Sequence, residues 1–186
     1  MAARRWLGAT LLVGAFAAAG APLIRAAEAA TVADFAGRWR GVEVTEGAGR
    51  DAPLGVEPGD LDVTVAPDKD GFRVSWTTPD GDRVEAAFAP TDRPGVFVVR
   101  PSSNPLFGLF SSPETGNPLQ GERLLWSRLE GDTLVVYNLS LDDSGDFRLN
   151  RYAWTLADGG LTLDFSRLSQ GPTKQTLSGR LERAGG

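Results

Sequence analysis

From Gly37 onward, apolar and polar residues alternate in short segments, and each segment ends in turn-forming residues. Ten such segments occur, separated by turns such as Pro79-Asp-Gly-Asp82 and Glu130-Gly-Asp132. No stretch after residue 35 repeats its apolar residues with the period of a helix. Because parallel strands need long crossover connections, this pattern excludes a βαβ fold and predicts an all-β antiparallel protein.

The number of segments favours a closed sheet. An open sheet of ten strands would leave two edges exposed, and closure removes both of them. We therefore expect one antiparallel up-and-down β-barrel of about eight to ten strands over residues 30–186, with a β-sandwich as the alternative. A barrel of this size holds side chains or one small ligand in its interior.

The first 29 residues have the features of a cleaved signal peptide. Arg4 and Arg5 precede an apolar stretch at 7–24, and Ala27-Glu28-Ala29 fits a small-x-small cleavage site. The signal is of the Sec type or, because of the arginine pair, of the twin-arginine type. The excess of Arg over Lys suggests a bacterial gene, so we expect a periplasmic or secreted protein. We expect no transmembrane segment in the mature chain.

Composition excludes several classes of chemistry. The chain has no His and no Cys, so it has no histidine base, no thiolate, no Cys/His zinc site and no disulfide. The net charge is −5, and removal of the signal peptide makes it (19 − 3) − (24 − 1) = −7, which argues against nucleic acid as a partner. The turn carboxylates lack the spacing of a calcium loop. We expect no metal, no cofactor and no catalysis, and we find no recognisable catalytic constellation.

The first strand carries the sequence Phe35-Ala-Gly37-Arg-Trp39-Arg-Gly41. Its G-x-W core resembles the entry motif of the calycins, the superfamily of lipocalins and avidin-like barrels. The resemblance implies that Trp39 plugs the closed end of a barrel and that a basic residue of the last strand packs over it. Arg183 is the residue in position to do so through a cation–π contact. It also implies a lipocalin-like fold that binds a small molecule.

Two long connections fall at one end of the expected barrel, opposite Trp39. They span residues 46–59 and 101–121, and the second contains four large apolar residues within five positions, Leu106, Phe107, Leu109 and Phe110. Long loops in compact domains are often functional, so these residues are interpreted as a lid over a hydrophobic ligand. The alternatives are a loop packed on its own domain, a short helix plugging the mouth, or a patch that binds a protein partner.

Three arginines are candidates for binding an anionic group. Arg100 and Arg167 each end an apolar stripe, and we expect both at the long-loop end. Arg151 lies mid-strand, and if its face points inward it needs a partner, for which Glu43 is the candidate. The alternative for Arg100 and Arg167 is a strand-end arginine with its charge in solvent.

Three functional hypotheses follow. The first is an exported, lipocalin-like protein that binds a small hydrophobic, anionic or neutral molecule without catalysis, and it predicts an internal cavity that reaches the long-loop end. The second is a periplasmic or envelope-associated interaction module with a filled core, docking through 101–121. The third is an enzyme that uses two inward-facing carboxylates.

Overall fold

Ten strands and three short 3-10 helices make up the regular secondary structure of the residues that the structure describes. The structure is a computed structural model and describes residues 30–47, 53–100, 117–170 and 174–185, so the predicted signal peptide lies outside it. The strands are β1 (Gly37–Glu46), β2 (Val63–Asp68), β3 (Gly71–Thr77), β4 (Arg83–Pro90), β5 (Val96–Val99), β6 (Leu124–Glu130), β7 (Thr133–Leu141), β8 (Phe147–Ala157), β9 (Gly160–Ser169) and β10 (Lys174–Arg183). The 3-10 helices are Val32–Phe35, Pro58–Leu61 and Pro118–Gln120.

Each strand pairs antiparallel with its neighbours in the chain, and β10 pairs with β1 to close the ring. The prediction of a single antiparallel up-and-down barrel is confirmed at ten strands, and the alternative β-sandwich is not formed. The seam is uneven. β1 pairs with β10 over most of its length, but with β2 only from Gly37 to Trp39.

The two ends of the barrel differ in their connections. Turns of two or five residues follow the even-numbered strands at one end, called here the closed end. The connections after the odd-numbered strands, including the two long ones, share the other end, called here the mouth. Glycines take the positive φ that the shortest turns need, as at Gly131 (φ 60°) and Gly159 (φ 79°).

Large apolar side chains fill the interior because they alternate along the strands. In β3, Phe72, Val74 and Trp76 point inward and are at most 2% exposed. Phe88 of β4 stacks on Phe72 with ring centroids 5.1 Å apart. Removing such side chains from water is the main favourable contribution to folding, and the alternation determines which face of each strand is buried.

Trp39 occupies the closed end in the manner that the G-x-W sequence predicts. Its indole Nε1 donates to the carbonyl oxygen of Phe35 at 2.9 Å. The Arg183 guanidinium carbon lies 4.3 Å from the centre of the Trp39 ring, and its Nη1 donates to the carbonyl of Ala36 at 3.1 Å. Gly37 has φ +145°, and a Cβ there would lie 2.6 Å from that same Nη1. The predicted contact between Arg183 and Trp39 is therefore present.

On the mouth side of the short β1–β2 pairing, β1 packs against the Pro58–Leu61 helix instead of a neighbouring strand. It packs so closely on β1 that a Cβ at Gly41 would overlap the carbonyl oxygen of Pro58. The Gly41 amide, which the short β2 leaves without a strand partner, donates to Asp62 Oδ1 at 3.0 Å. This segment thus forms part of the barrel wall near the mouth.

Candidate functional site

Arg167 lies at the mouth, where the sequence predicts it, and its side chain points into the barrel. The residue is 7% exposed. Its Nη1 and Nη2 donate to the two carboxylate oxygens of Asp80 at 3.0 and 2.7 Å, and its Nε donates to Asn150 Oδ1 at 2.9 Å. The guanidinium carbon is 5.8 Å from the centre of the Phe165 ring. The guanidinium is therefore held in one plane, with both of its Nη groups donating to the Asp80 carboxylate.

Asp80 reaches Arg167 from the opposite side of the barrel. It belongs to the β3–β4 turn, and the shorter path around the wall from β3 to β9 crosses three other strands. The turn is closed by the Thr78 amide, which donates to the carbonyl of Asp82 at 2.7 Å. The Asp80 side chain remains 45% exposed, and its second cation, Arg148, is 3.7 Å away and 53% exposed. The ion pair therefore bridges the mouth, with one buried and one half-exposed partner.

Beneath this bridge lies a cluster of aromatic side chains. Trp76 of β3 faces Tyr152 and Trp154 of β8, with ring centroids 5.5 and 6.3 Å apart. Tyr152 also contacts Phe165 at 5.0 Å. Alternation along β8 points Tyr152 and Trp154 inward, and edge-on contacts of this kind add to the stabilisation from burial.

The polar atoms of this cluster have no hydrogen-bond partner within the described part of the chain. They are the Nε1 atoms of Trp76 and Trp154 and the hydroxyl of Tyr152. Burial raises the pKa of Tyr152 to about 12, and a side-chain interaction with Trp76 partly opposes the shift. The phenol is therefore a protonated donor at neutral pH. A buried donor left unsatisfied costs about 1–3 kcal/mol, so these groups favour an acceptor in the space between them.

A narrow pocket opens among these side chains, with a volume of about 10 Å³, roughly enough for one water molecule. Its walls are Trp76, Tyr152, Trp154, Leu163, Phe165 and Leu177. Its remaining lining comes from Val56, Asp60, Leu61 and Pro79 in the connections that cover the mouth, and from Thr77 at the end of β3. The Glu46 carboxylate holds the β1–β2 connection in place by accepting from the amides of Leu54 and Val56 at 2.8 and 3.1 Å. The predicted cavity is thus present only as a small space beneath a cover made of connections.

Arg100 does not lie at the mouth, so the prediction that it shares the long-loop end with Arg167 is wrong. β5 has only four residues, and the chain leaves the sheet before it has crossed the barrel. The Arg100 amide still donates to Ala87 of β4 at 2.7 Å. Its guanidinium pairs with Asp68 and Asp70 at the β2–β3 turn, which belongs to the closed end.

Arg151 and Glu43 do not face each other inside the barrel. The β1–β10 register shifts between Gly41 and Glu43, and this bulge turns Glu43 outward, where it lies 3.7 Å from Arg180. Arg151 is half-buried on the outer face, beside a shallow surface groove of about 380 Å³ that includes Ser166. The predicted buried pair is therefore absent, because β8 points Asn150, Tyr152 and Trp154 inward instead.

The apolar lid residues Leu106, Phe107, Leu109 and Phe110 lie outside the described residues. The described end of the same connection begins at Asn117, which caps the Pro118–Gln120 helix by accepting from the Leu119 amide at 3.1 Å. Leu119 is 84% exposed. The prediction of a lid or docking patch at 101–121 remains a prediction.

Sequence reasoning missed the residues that build the site around Arg167. Asp80 was interpreted as a turn former, which it also is, and no local signal marks it as the partner of a residue 87 positions away. In β8, Tyr152 and Trp154 share an alternation face with Asn150, whereas Phe147 and Leu149 occupy the other. The two-residue spacing of these positions predicts that the two aromatic side chains and the asparagine share one face of β8. It does not predict which face of β8 is buried.

The site consists of a buried arginine, a bridging carboxylate and an aromatic cluster in the mouth half of a closed ten-stranded antiparallel barrel. Comparison of the chain with family models, curated proteins and solved structures gives no match. Across residues 30–47, 53–100, 117–170 and 174–185, no three acidic side chains are grouped to hold a metal ion. No helix in this described part is long and apolar enough to cross a membrane.

Proposed function

We propose that this protein is an exported, noncatalytic binding protein for a small, largely apolar and anionic molecule. The observation that supports the proposal is the set of unpartnered donors of Trp76, Tyr152 and Trp154 around a pocket beneath Arg167. Native proteins rarely bury several polar groups together without partners, and binding sites are the common exception. A largely apolar molecule that carries an acceptor group would pair with one or more of these donors and place its apolar part against the surrounding rings.

Binding requires the cover to move, because sites for small molecules usually measure about 300–1,000 Å³. The cover is built from connections, and the Asp80 turn is joined to the site by a carboxylate that water already reaches. The strands below form a continuous hydrogen-bonded ring, and moving a strand would break these hydrogen bonds. We therefore place the ligand between the aromatic cluster and a displaced β3–β4 turn.

The test is direct binding, followed by the effect of Tyr152→Phe. Native mass spectrometry of the protein purified from a bacterial periplasm, with organic extraction, identifies a bound mass, and calorimetric titration measures its affinity. Removing an unpartnered hydroxyl should leave the unliganded protein equally or more stable, and should weaken binding about three- to tenfold. If Tyr152 had only a structural role, Tyr152→Phe would not weaken binding while leaving the stability of the unliganded protein unchanged or higher.

Tyr137→Phe is the matched control, because Tyr137 stacks on Trp126 with ring centroids 4.8 Å apart on the outer wall. It should leave affinity unchanged. The proposal fails if the protein carries no small molecule and takes up none from a lipid and metabolite extract. It also fails if Tyr152→Phe and Tyr137→Phe change affinity equally.

Within this proposal the barrel is calycin-like and its site is reached from the periplasm or the exterior. The support for a calycin-like barrel is the arrangement of Gly37, Trp39 and Arg183 at the closed end. The support for export is the signal-like sequence of residues 1–29.

The second candidate function is a protein-interaction module. It is favoured by the small size of the interior space and by the exposure of Leu119 at the end of the 101–121 connection. If no small molecule binds, loss of a captured envelope partner on Leu119→Ser would support this function.

A further inference from the structure

We propose that Arg167 is a carboxylate-binding subsite and that Asp80 occupies it in place of the ligand's carboxylate. The ligand is then an apolar carboxylic acid, and its binding exchanges one carboxylate for another on the same guanidinium. The inference rests on the proposed function, because it requires a ligand in the interior.

The guanidinium is fixed independently of Asp80. Asn150 accepts from Nε at 2.9 Å, and the Phe165 ring lies 5.8 Å from the guanidinium carbon. If Asp80 moves away, these contacts keep Nη1 and Nη2 in the positions from which they now donate. Two parallel N–H groups at fixed positions match a carboxylate better than they match a spherical or neutral group.

The two partners differ in their freedom to separate. The Arg167 side chain is 9% exposed, whereas that of Asp80 is 45% exposed on a five-residue turn. Asp80 can transfer to water, where it keeps Arg148 as a neighbouring cation at 3.7 Å. Arg167 cannot, and a buried cation without an anion is strongly unfavourable. When the β3–β4 turn opens, binding of a second carboxylate to the Arg167 guanidinium therefore becomes favourable.

The inner face of β9 defines the rest of the ligand. From Arg167 the inward positions continue to Phe165 and Leu163, and the four steps along the strand give a wall about 13 Å long at the usual rise. Beside this wall, on the neighbouring strand β8, lie the donors of Tyr152 and Trp154, and Trp76 of β3 faces them across the barrel. The site thus fits an aromatic or medium-chain carboxylic acid whose acid group lies against Arg167 and accepts from the Tyr152 hydroxyl, and whose apolar body lies along Phe165 and Leu163.

The experiment compares a carboxylic acid with its own amide, here naphthaleneacetic acid and naphthaleneacetamide, by calorimetric titration of the purified protein. Asp80→Asn removes the competing carboxylate and should tighten binding of the acid by about tenfold or more, with little change for the amide. Asp82→Asn is the matched control, since it removes the same charge from the same turn but pairs only with exposed Arg123 among the described residues. It should bind both probes as the unmodified protein does.

Arg167→Gln should abolish the preference for the acid over the amide. Because Asp80→Asn leaves Arg167 unpaired and can prevent folding, the double variant Asp80→Asn/Arg167→Gln serves as the second test. It carries no unpaired buried charge, since Arg148 is exposed, and it should bind the amide while losing the preference for the acid.

Three results separate the outcomes. If acid and amide bind equally to the unmodified protein, the inference is overturned and the proposed function stands. If acid binding is no tighter in Asp80→Asn than in Asp82→Asn, the Asp80–Arg167 pair is only a structural bridge, and the inference is overturned. If neither probe binds any variant, the inference is overturned, and if the protein also takes up nothing from a metabolite extract, the proposed function fails with it.

Discussion

At the scale of single residues, the closed end is organised around one tryptophan. Trp39 is 5% exposed, donates to Phe35 and lies beneath the Arg183 guanidinium. Each contact uses a different property of the indole: its N–H, its area and its π face. Gly37 adds the space and the backbone conformation that this packing needs.

Trp39→Ala should destabilise the protein by about 3–5 kcal/mol, because it removes a buried aromatic side chain and leaves a cavity. Urea denaturation measures the change in the free energy of unfolding. Trp126→Ala, on the half-exposed outer wall, should cost clearly less. A loss below about 1 kcal/mol for Trp39→Ala would contradict its role at the closed end.

Tyr152 should make stability depend on alkaline pH. Its folded-state pKa is about 12 against an ordinary value of 10.0, so the unfolded chain loses this proton first. The stabilisation is complete below about pH 10 and is lost progressively up to about pH 12, a loss of roughly 2–3 kcal/mol.

The measurement is the free energy of unfolding from pH 9 to about 12, compared between the unmodified protein and Tyr152→Phe. The difference between the two curves isolates the contribution of this phenol. Tyr137→Phe should retain the slope of the unmodified protein. Parallel curves for the unmodified protein and Tyr152→Phe would contradict the buried, protonated phenol.

At the scale of elements, irregularities in the strands decide which predicted residues come together. β5 ends after four residues and leaves Arg100 near the closed end. The bulge in β1 turns Glu43 outward. Both positions were predicted by continuing a regular alternation along a full-length strand, and a one-residue shift is enough to reverse the face of every residue beyond it.

The packing of the Pro58–Leu61 helix on β1 can be tested at Gly41, because the helix lies so close to this residue that there is no room for a Cβ. Gly41→Ala would place a methyl group against the Pro58 carbonyl and 2.8 Å from the Leu61 Cβ, so we expect a loss of about 1–3 kcal/mol. Gly59→Ala is the control, since no atom lies within 4 Å of its added Cβ. Equal stabilities of the two variants in urea denaturation would contradict this packing.

At the scale of the whole molecule, closure of the ring creates both the site and its cover. Asp80 and Arg167 meet only because β3 and β9 face each other across one barrel. The aromatic cluster joins β3 and β8 in the same way.

The exported form should begin after residue 29. Intact mass of the protein from periplasmic and cytoplasmic fractions checks this, and the periplasmic species should lack residues 1–29. Replacing Arg4 and Arg5 together by Lys should block export if the signal is of the twin-arginine type and leave it unchanged if it is of the Sec type. An uncleaved protein in the periplasm would contradict the predicted cleavage.

The sequence by itself determined the all-β class, a barrel of about eight to ten strands and the connections that share an end. These follow from local rules: the alternation of side chains along a strand, and turn residues whose preferences do not depend on distant contacts. The contact of Arg183 with Trp39 was implied only by the resemblance of the G-x-W sequence to the calycins. Only the tertiary structure decided that Asp80 caps Arg167, that Tyr152 and Trp154 point inward, and that Arg100 and Glu43 lie elsewhere. These depend on ring closure, strand length and a bulge, which set the register between residues far apart in the chain.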